Sequence, residues 1–286
     1  MSGDGEMGAA MTQRYAMPDC DAPLLFPDLA TPAHQAMPTP QPLPDRRPDA
    51  GRDNDAAPPF ETDDLRRNLT IFLDTPFADA VTGVTLPVGN WRWGVYAFYD
   101  YDGEPIYVGQ TNERLRTRIR RHLTNQRTDA VAMSVLDPFE VFEIEVWPLP
   151  QFQDMSRTDS RAARDALNAL EHAVYLAAIA GSAFGAVLNE KDPPTPRVAM
   201  TPPPSLRGGI VSDAVAAIRS HPDFRIARRA LVIARLAQVI SERKAPGGLR
   251  RVLTTQARRL QWLAERRYQA LGGAANVDVA DDAEET

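Results

Sequence analysis

Trp93-Gly94-Val95-Tyr96-Ala97-Phe98-Tyr99, a turn at Asp102-Gly103, and Pro105-Ile106-Tyr107-Val108-Gly109 form the stretch that decides the fold. Both outer segments are rich in β-branched and aromatic residues, and Asp-Gly between them signals a tight hairpin. They predict two antiparallel strands on which Tyr96 and Tyr107 can share one face. Downstream, Leu115, Ile119 and Leu123 recur every fourth residue, predicting a helix from Asn112 to about Asn125 with one buried stripe. Arg114, Arg118 and His122 form a polar stripe one residue earlier. Phe142, Ile144 and Val146 alternate with Glu143 and Glu145, so a third strand is expected with one face on a core. Arg161 to Ala180 reads as a long helix, and Val187-Leu188-Asn189 closes the unit. The expected fold class is α+β: a small antiparallel three-stranded sheet flanked by helices over residues 62–192, followed by an all-α basic helical domain over 207–272.

Composition changes on either side of this unit. Eleven of the 25 prolines fall in the first 64 residues with almost no periodic apolar spacing, so residues 1–61 are expected to be a disordered acidic tail. Residues 193–206, with Pro193-Pro194 and Pro202-Pro203-Pro204, read as a stiff linker. Three helical stretches follow, broken at Ser220-His221-Pro222 and at Ala245-Pro246-Gly247-Gly248. In the second, Ile226, Ala230, Ile233, Ala237 and Ile240 form the expected packing seam. Residues 273–286 read as a second acidic tail. The net charge of -6 conceals a segregation: residues 1–64 hold 12 acidic and 4 basic side chains, residues 206–273 hold 4 and 14. One cysteine, Cys20, excludes a disulfide framework and cysteine-based zinc sites. A polar, acidic start and the lack of a long apolar run lead to the expectation of a cytoplasmic protein with no membrane partner.

The hairpin, the Arg/His helix and a later helix bearing one glutamate resemble the GIY-YIG nuclease family. Gly94-Val95-Tyr96 stands for its first motif and Tyr107-Val108-Gly109 for its second, with Arg118, His122, Glu171 and Asn189 following in order. The resemblance implies a metal-dependent DNA endonuclease whose catalytic residues are Tyr96, Tyr107, Arg118, His122, Glu171 and Asn189. It implies one divalent ion, Mg2+ or Mn2+, on Glu171, water activated by Tyr96, and products with 5'-phosphate and 3'-hydroxyl ends. The residue chemistry agrees, since phosphodiester hydrolysis needs a base, positive charge on the phosphate and help for the leaving oxygen. Arg118 and His122 are four apart and project from one helical face. Glu171 is the only formally charged side chain between Ala166 and Ala180, and an unpaired buried carboxylate is costly, so a partner is expected. Many family members carry lysine immediately after the second motif, whereas this chain has Gln110. That departure shifts the burden of activating the base onto Arg118, Arg114 or the metal.

DNA is the expected partner. Arg114 on the core, and Arg228, Arg229, Arg235, Arg250, Arg251, Arg258 and Arg259 on the basic helices, are the candidate phosphate contacts. Two other readings stay open: a nucleic-acid-binding module with weakened catalysis, supported by Gln110, and a regulatory protein that forms a homodimer through its C-terminal helices.

Overall fold

A computed structural model describes residues 60–124, 135–155, 161–242 and 247–273. The expected tails, apart from Phe60, Glu61 and Gly273, lie outside the described residues. Helix α1 (Phe60–Asp74) buries Leu65, Leu69, Phe72 and Leu73, the 3–4 spacing that gives a helix one apolar side. A small hairpin follows, β1 (Pro76–Ala78) against β2 (Thr85–Pro87). Its turn is tied by Asp79, whose carboxylate accepts from the N–H groups of Val81 and Thr82.

The predicted hairpin is β3 (Gly94–Tyr99) and β4 (Pro105–Thr111). Asp100 Oδ1 closes its turn, accepting from the N–H of Asp102 at 2.9 Å and of Glu104 at 3.1 Å. Gly103 takes a φ of 74°, a region costly for any residue with a Cβ. Helix α2 (Leu115–Leu123) buries the expected Leu115, Ile119 and Leu123. Strand β5 (Glu143–Pro148) pairs with β3, and helix α3 (Arg161–Gly181) covers the opposite face of the sheet.

The α+β class holds, and the main sheet gains a fourth strand. Its order is β4-β3-β5-β6, antiparallel throughout, with β6 (Leu206–Gly209) drawn from the end of the proline-rich stretch. Once past Pro204 the backbone can donate again, and Arg207 anchors the strand through two bonds to Glu143 at 2.9 and 2.6 Å. Strand β3 is buried on both faces. Tyr96 and Phe98 join a cluster with Leu69, Ile119 and Leu236, while Val95 and Ala97 join Leu167, Leu170 and Val174 on the α3 side.

The C-terminal helices, α4 (Asp213–Arg219), α5 (Pro222–Glu242) and α6 (Gly247–Ala270), do not form a core of their own. Leu236, Ile240, Leu249 and Val252 pack in the same cluster as Tyr96 and Ile106. The buried stripe of α5 is Arg225, Arg229, Val232, Leu236 and Ile240, offset from the expected seam, and Ala230 and Ala237 of that seam are exposed. The physical reason is the hairpin turn. Asp100, buried at 1% exposure, receives Arg225 at 3.1 Å, Arg229 at 2.8 Å and Arg259 at 2.6 Å on Oδ2. Arg229 also donates to Glu140 at 3.0 Å, and Arg225 pairs with Asp102 at 2.7 Å. Arginine can enter a core when its head is paired in this way and its stem packs. Among the described residues no helix is long and apolar enough to cross a membrane.

Candidate active site

Cross-strand register sets the site. Tyr96 lies opposite Gly109 and Phe98 opposite Tyr107, so the two tyrosines are diagonal neighbours with ring centroids 6.3 Å apart. The Tyr96 ring folds over Gly109: a Cβ there would come within 2.6 Å of Tyr96 Oη and 2.9 Å of the Tyr107 ring. Gly94 is needed for a different contact, since a Cβ there would meet the Trp147 carbonyl oxygen at 2.8 Å. The glycine of each motif is thus a matter of space. Helix α2 brings the His122 ring to 5.8 Å from Tyr96 and 5.4 Å from Tyr107.

Arg118, one turn before His122, lies beside both tyrosines. Burial works against its charge, but the neighbouring Tyr96 and Tyr107 oxygens outweigh it and raise its pKa above the usual arginine value. Burial pushes the Tyr96 phenol far above its ordinary range, Tyr107 raises it further, and Arg118 pulls it back. Among the described residues no group meets the buried Tyr96 Oη in hydrogen-bonding geometry; Arg118 acts on it through charge.

Glu171 comes from α3, on the other face of the sheet, and meets these groups at the outer edge of β4. It shares a hollow of about 340 Å³ with Tyr107 and His122. Burial raises its pKa from 4.5 to about 7, while Arg118 and the Gln110 amide act in the lowering direction. Gln110 donates to Asn168 Oδ1 at 3.0 Å, so this amide ties β4 to α3. A second hollow, of about 330 Å³, is lined by Arg118, Gln110, Asn168 and Arg164.

Among the described residues no three His, Cys, Asp or Glu side chains gather at metal-ligand spacing. A single half-buried carboxylate nevertheless fits magnesium, which keeps several waters and commonly binds through one or two carboxylates plus substrate phosphate oxygens.

Asn189 lines the same hollow as Tyr107, His122 and Glu171, and its amide is bonded to β4. Its Oδ1 accepts from the Val108 N–H at 3.1 Å and its Nδ2 donates to the Val108 carbonyl at 2.7 Å, while Leu188 N donates to the Ile106 carbonyl at 2.7 Å. The amide completes the backbone bonding of an edge strand.

The basic candidates divide. Arg229 and Arg259 are buried on Asp100 and cannot reach a phosphate, which corrects the expectation for both. Arg228 is bidentate to Asp137 at 2.8 and 2.9 Å, and Arg251 pairs with Asp192 at 2.8 Å. Arg114, Arg235, Arg250 and Arg258 are exposed and form no ion pair with another described residue. Helical periodicity could not separate these fates, because the buried arginines are selected by acidic partners more than 80 residues away in the chain. Two residues that sequence reading missed, Arg164 and Asn168, lie seven and three residues before Glu171, a helical spacing that would have flagged them.

Residues 92–154 match the family model of the GIY-YIG catalytic domain. The matched segment is consistent with a GIY-YIG nuclease core; it contains Tyr96, Tyr107, Arg118 and His122 and stops short of Glu171 and Asn189. Nucleases of this family generally use divalent metals. No curated protein and no solved structure matches the chain.

Proposed function

We propose that the chain is a DNA endonuclease that hydrolyses phosphodiester bonds at the β4 edge with the help of one divalent ion. The observation that carries this reading is the convergence of Tyr96 and Tyr107 from the hairpin, Arg118 and His122 from α2, and Glu171 from α3 on that edge. In this proposal the Arg118 fork binds the scissile phosphate and offsets the charge that develops as water attacks. Tyr96 Oη, without a hydrogen-bond partner among the described residues, takes the proton of water as tyrosinate, its own proton having passed first to bulk solvent; burial opposes that ionised form and Arg118 favours it. His122 and Tyr107 fix the Tyr96 ring by packing against it. Glu171 would hold Mg2+ or Mn2+, which when bound supplies Lewis-acid stabilisation of the leaving 3'-oxygen. Asn189 keeps β4 in register and so positions Tyr107 and Gly109.

The exposed Arg114, Arg235, Arg250 and Arg258 are the surface cations left to attract a polyanion. A second reading, a nucleic-acid-binding module with weakened catalysis, draws on Gln110, whose neutral amide stands at Glu171. One experiment separates the two. Wild-type protein should nick supercoiled plasmid with Mg2+ or Mn2+, lose this activity in EDTA, and lose it at least about a hundredfold in Glu171→Gln, with DNA affinity kept. Wild type that binds plasmid but never nicks it would favour the binding module; nicking by Glu171→Gln at the wild-type rate would overturn the site.

A further inference from the structure

The hollow on the Arg118 side of Glu171 holds a second cation that the proposed chemistry does not use. Arg164 on α3 lines it with Arg118, Gln110, Asn112 and Asn168. Its side chain is exposed and forms no ion pair with another described residue. The one carboxylate in the lining, Glu113, is engaged by Arg121 at 2.8 Å, so the hollow keeps a positive surplus. Elsewhere on this unit, most partly buried arginines are neutralised: Arg116 on Asp74, Arg228 on Asp137, Arg267 on Asp223. Arg164, without an ion pair among the described residues and beside Arg118 in a hollow lined by amides, is suited to an anion that arrives from outside.

Helix geometry places that anion. Arg164 and Glu171 are seven residues apart, so they lie within about 20° of one another around α3 and about 10.5 Å apart along it. Asn168 sits between them on the same side. Arg118 and Arg164 line the same hollow, and Arg164 enters it about two turns of α3 before Glu171.

We infer that Arg164 binds a flanking, non-scissile phosphate of the DNA strand being cut, and that the amide-lined hollow is the channel for that side of the strand. The inference rests on the nuclease reading for the place of the cut, and only on charge and geometry for the binding. Arg164 is on this account a substrate-binding residue whose effect lies in affinity and register.

The test is DNA binding in EDTA, by fluorescence anisotropy of a labelled duplex across a salt series, for wild type, Arg164→Gln, Arg164→Lys and Arg161→Gln. Arg161 is on the same helix but about 80° off the Glu171 side, so its variant controls for bulk charge. Loss of one phosphate contact should flatten the slope of log K against log salt by about 0.9 in Arg164→Gln and weaken binding several-fold near 0.1 M salt. Arg164→Lys should recover most of that loss and Arg161→Gln should show less of it. Arg164→Gln with wild-type slope and affinity would overturn the inference, as would an equal loss in Arg161→Gln. Plasmid nicking by the wild type is read alongside: a protein that nicks while Arg164→Gln binds normally sinks the flanking site alone. A protein that never nicks but shows the Arg164 slope change sinks the nuclease reading and keeps the binding site.

Discussion

At the scale of single residues, Gly109 carries more than its size suggests. Tyr96 can lie across β4 only because the residue opposite has no side chain, and the same vacancy lets Tyr107 approach diagonally. Gly109→Ala should therefore displace the Tyr96 phenol, costing about 1–3 kcal/mol of stability by overpacking. It should also cut the single-turnover nicking rate about a hundredfold, since misplacement by an ångström is enough for that. Thermal unfolding and a nicking time course would measure both; a rate near wild type would show that the phenol position is not critical. This role was not legible in the sequence. Tyr107-Val108-Gly109 can be seen as a motif, but the reason for its glycine depends on Gly109 facing Tyr96, a fact of register. Glu171 was legible, because one charged residue in an apolar helix implies a partner, and so was the position of Asn189, whereas its bond to Val108 depends on how residues 188–189 run along β4.

Among elements, the edge strand β4 and the helix α3 decide what the site can do. The strand is covered along Ile106 and Val108 by residues 188–189, which leaves Tyr107 and Gln110 to face the two hollows from opposite sides. Helix α3 adds Glu171 in a half-buried place that favours the protonated carboxyl, at a pKa of about 7 against an ordinary 4.5. The folded protein thus holds a proton that the unfolded chain has lost between these values, and stability must fall as pH rises from about 4.5 to about 7. Above about 7 the loss is complete. Urea unfolding of metal-free wild type and Glu171→Gln at pH 4.5 and pH 7.5 should show wild type losing more stability than the variant across that interval; equal losses would mean that Glu171 is not strained by burial. The predicted hairpin, α2, β5 and α3 were legible because each has a period its neighbours do not interrupt. Strand β6 was not, for its four residues, Leu206–Gly209, have no alternation and follow a run of prolines.

For the whole molecule, charge that reads as a nucleic-acid footprint is in good part structural. Arg225, Arg229 and Arg259 converge on Asp100, and burial lowers the pKa of Arg259 while Asp100 works the other way. Removing one member of a buried ionic cluster strands the others, so Asp100→Ala should cost about 3–5 kcal/mol, against about 0.5 kcal/mol or less for Arg258→Ala on the exposed side of α6. Chemical denaturation of the two variants measures the contrast; a mild Asp100→Ala would mean that the arginines find water or other partners. The separation of core and basic helices expected at residues 193–206 rested on prolines that mark a change of direction, while the apolar faces on either side belong to one cluster. The Asp100 cluster also bears on how the protein is made. A nascent chain exposes Asp100 long before Arg225, Arg229 and Arg259 have been synthesised, and the turn joining β3 to β4 has none of its buried counter-charges until translation has passed Arg259. The hairpin that carries Tyr96 and Tyr107 is thus expected to gain its full stability only once Arg225, Arg229 and Arg259 have been made.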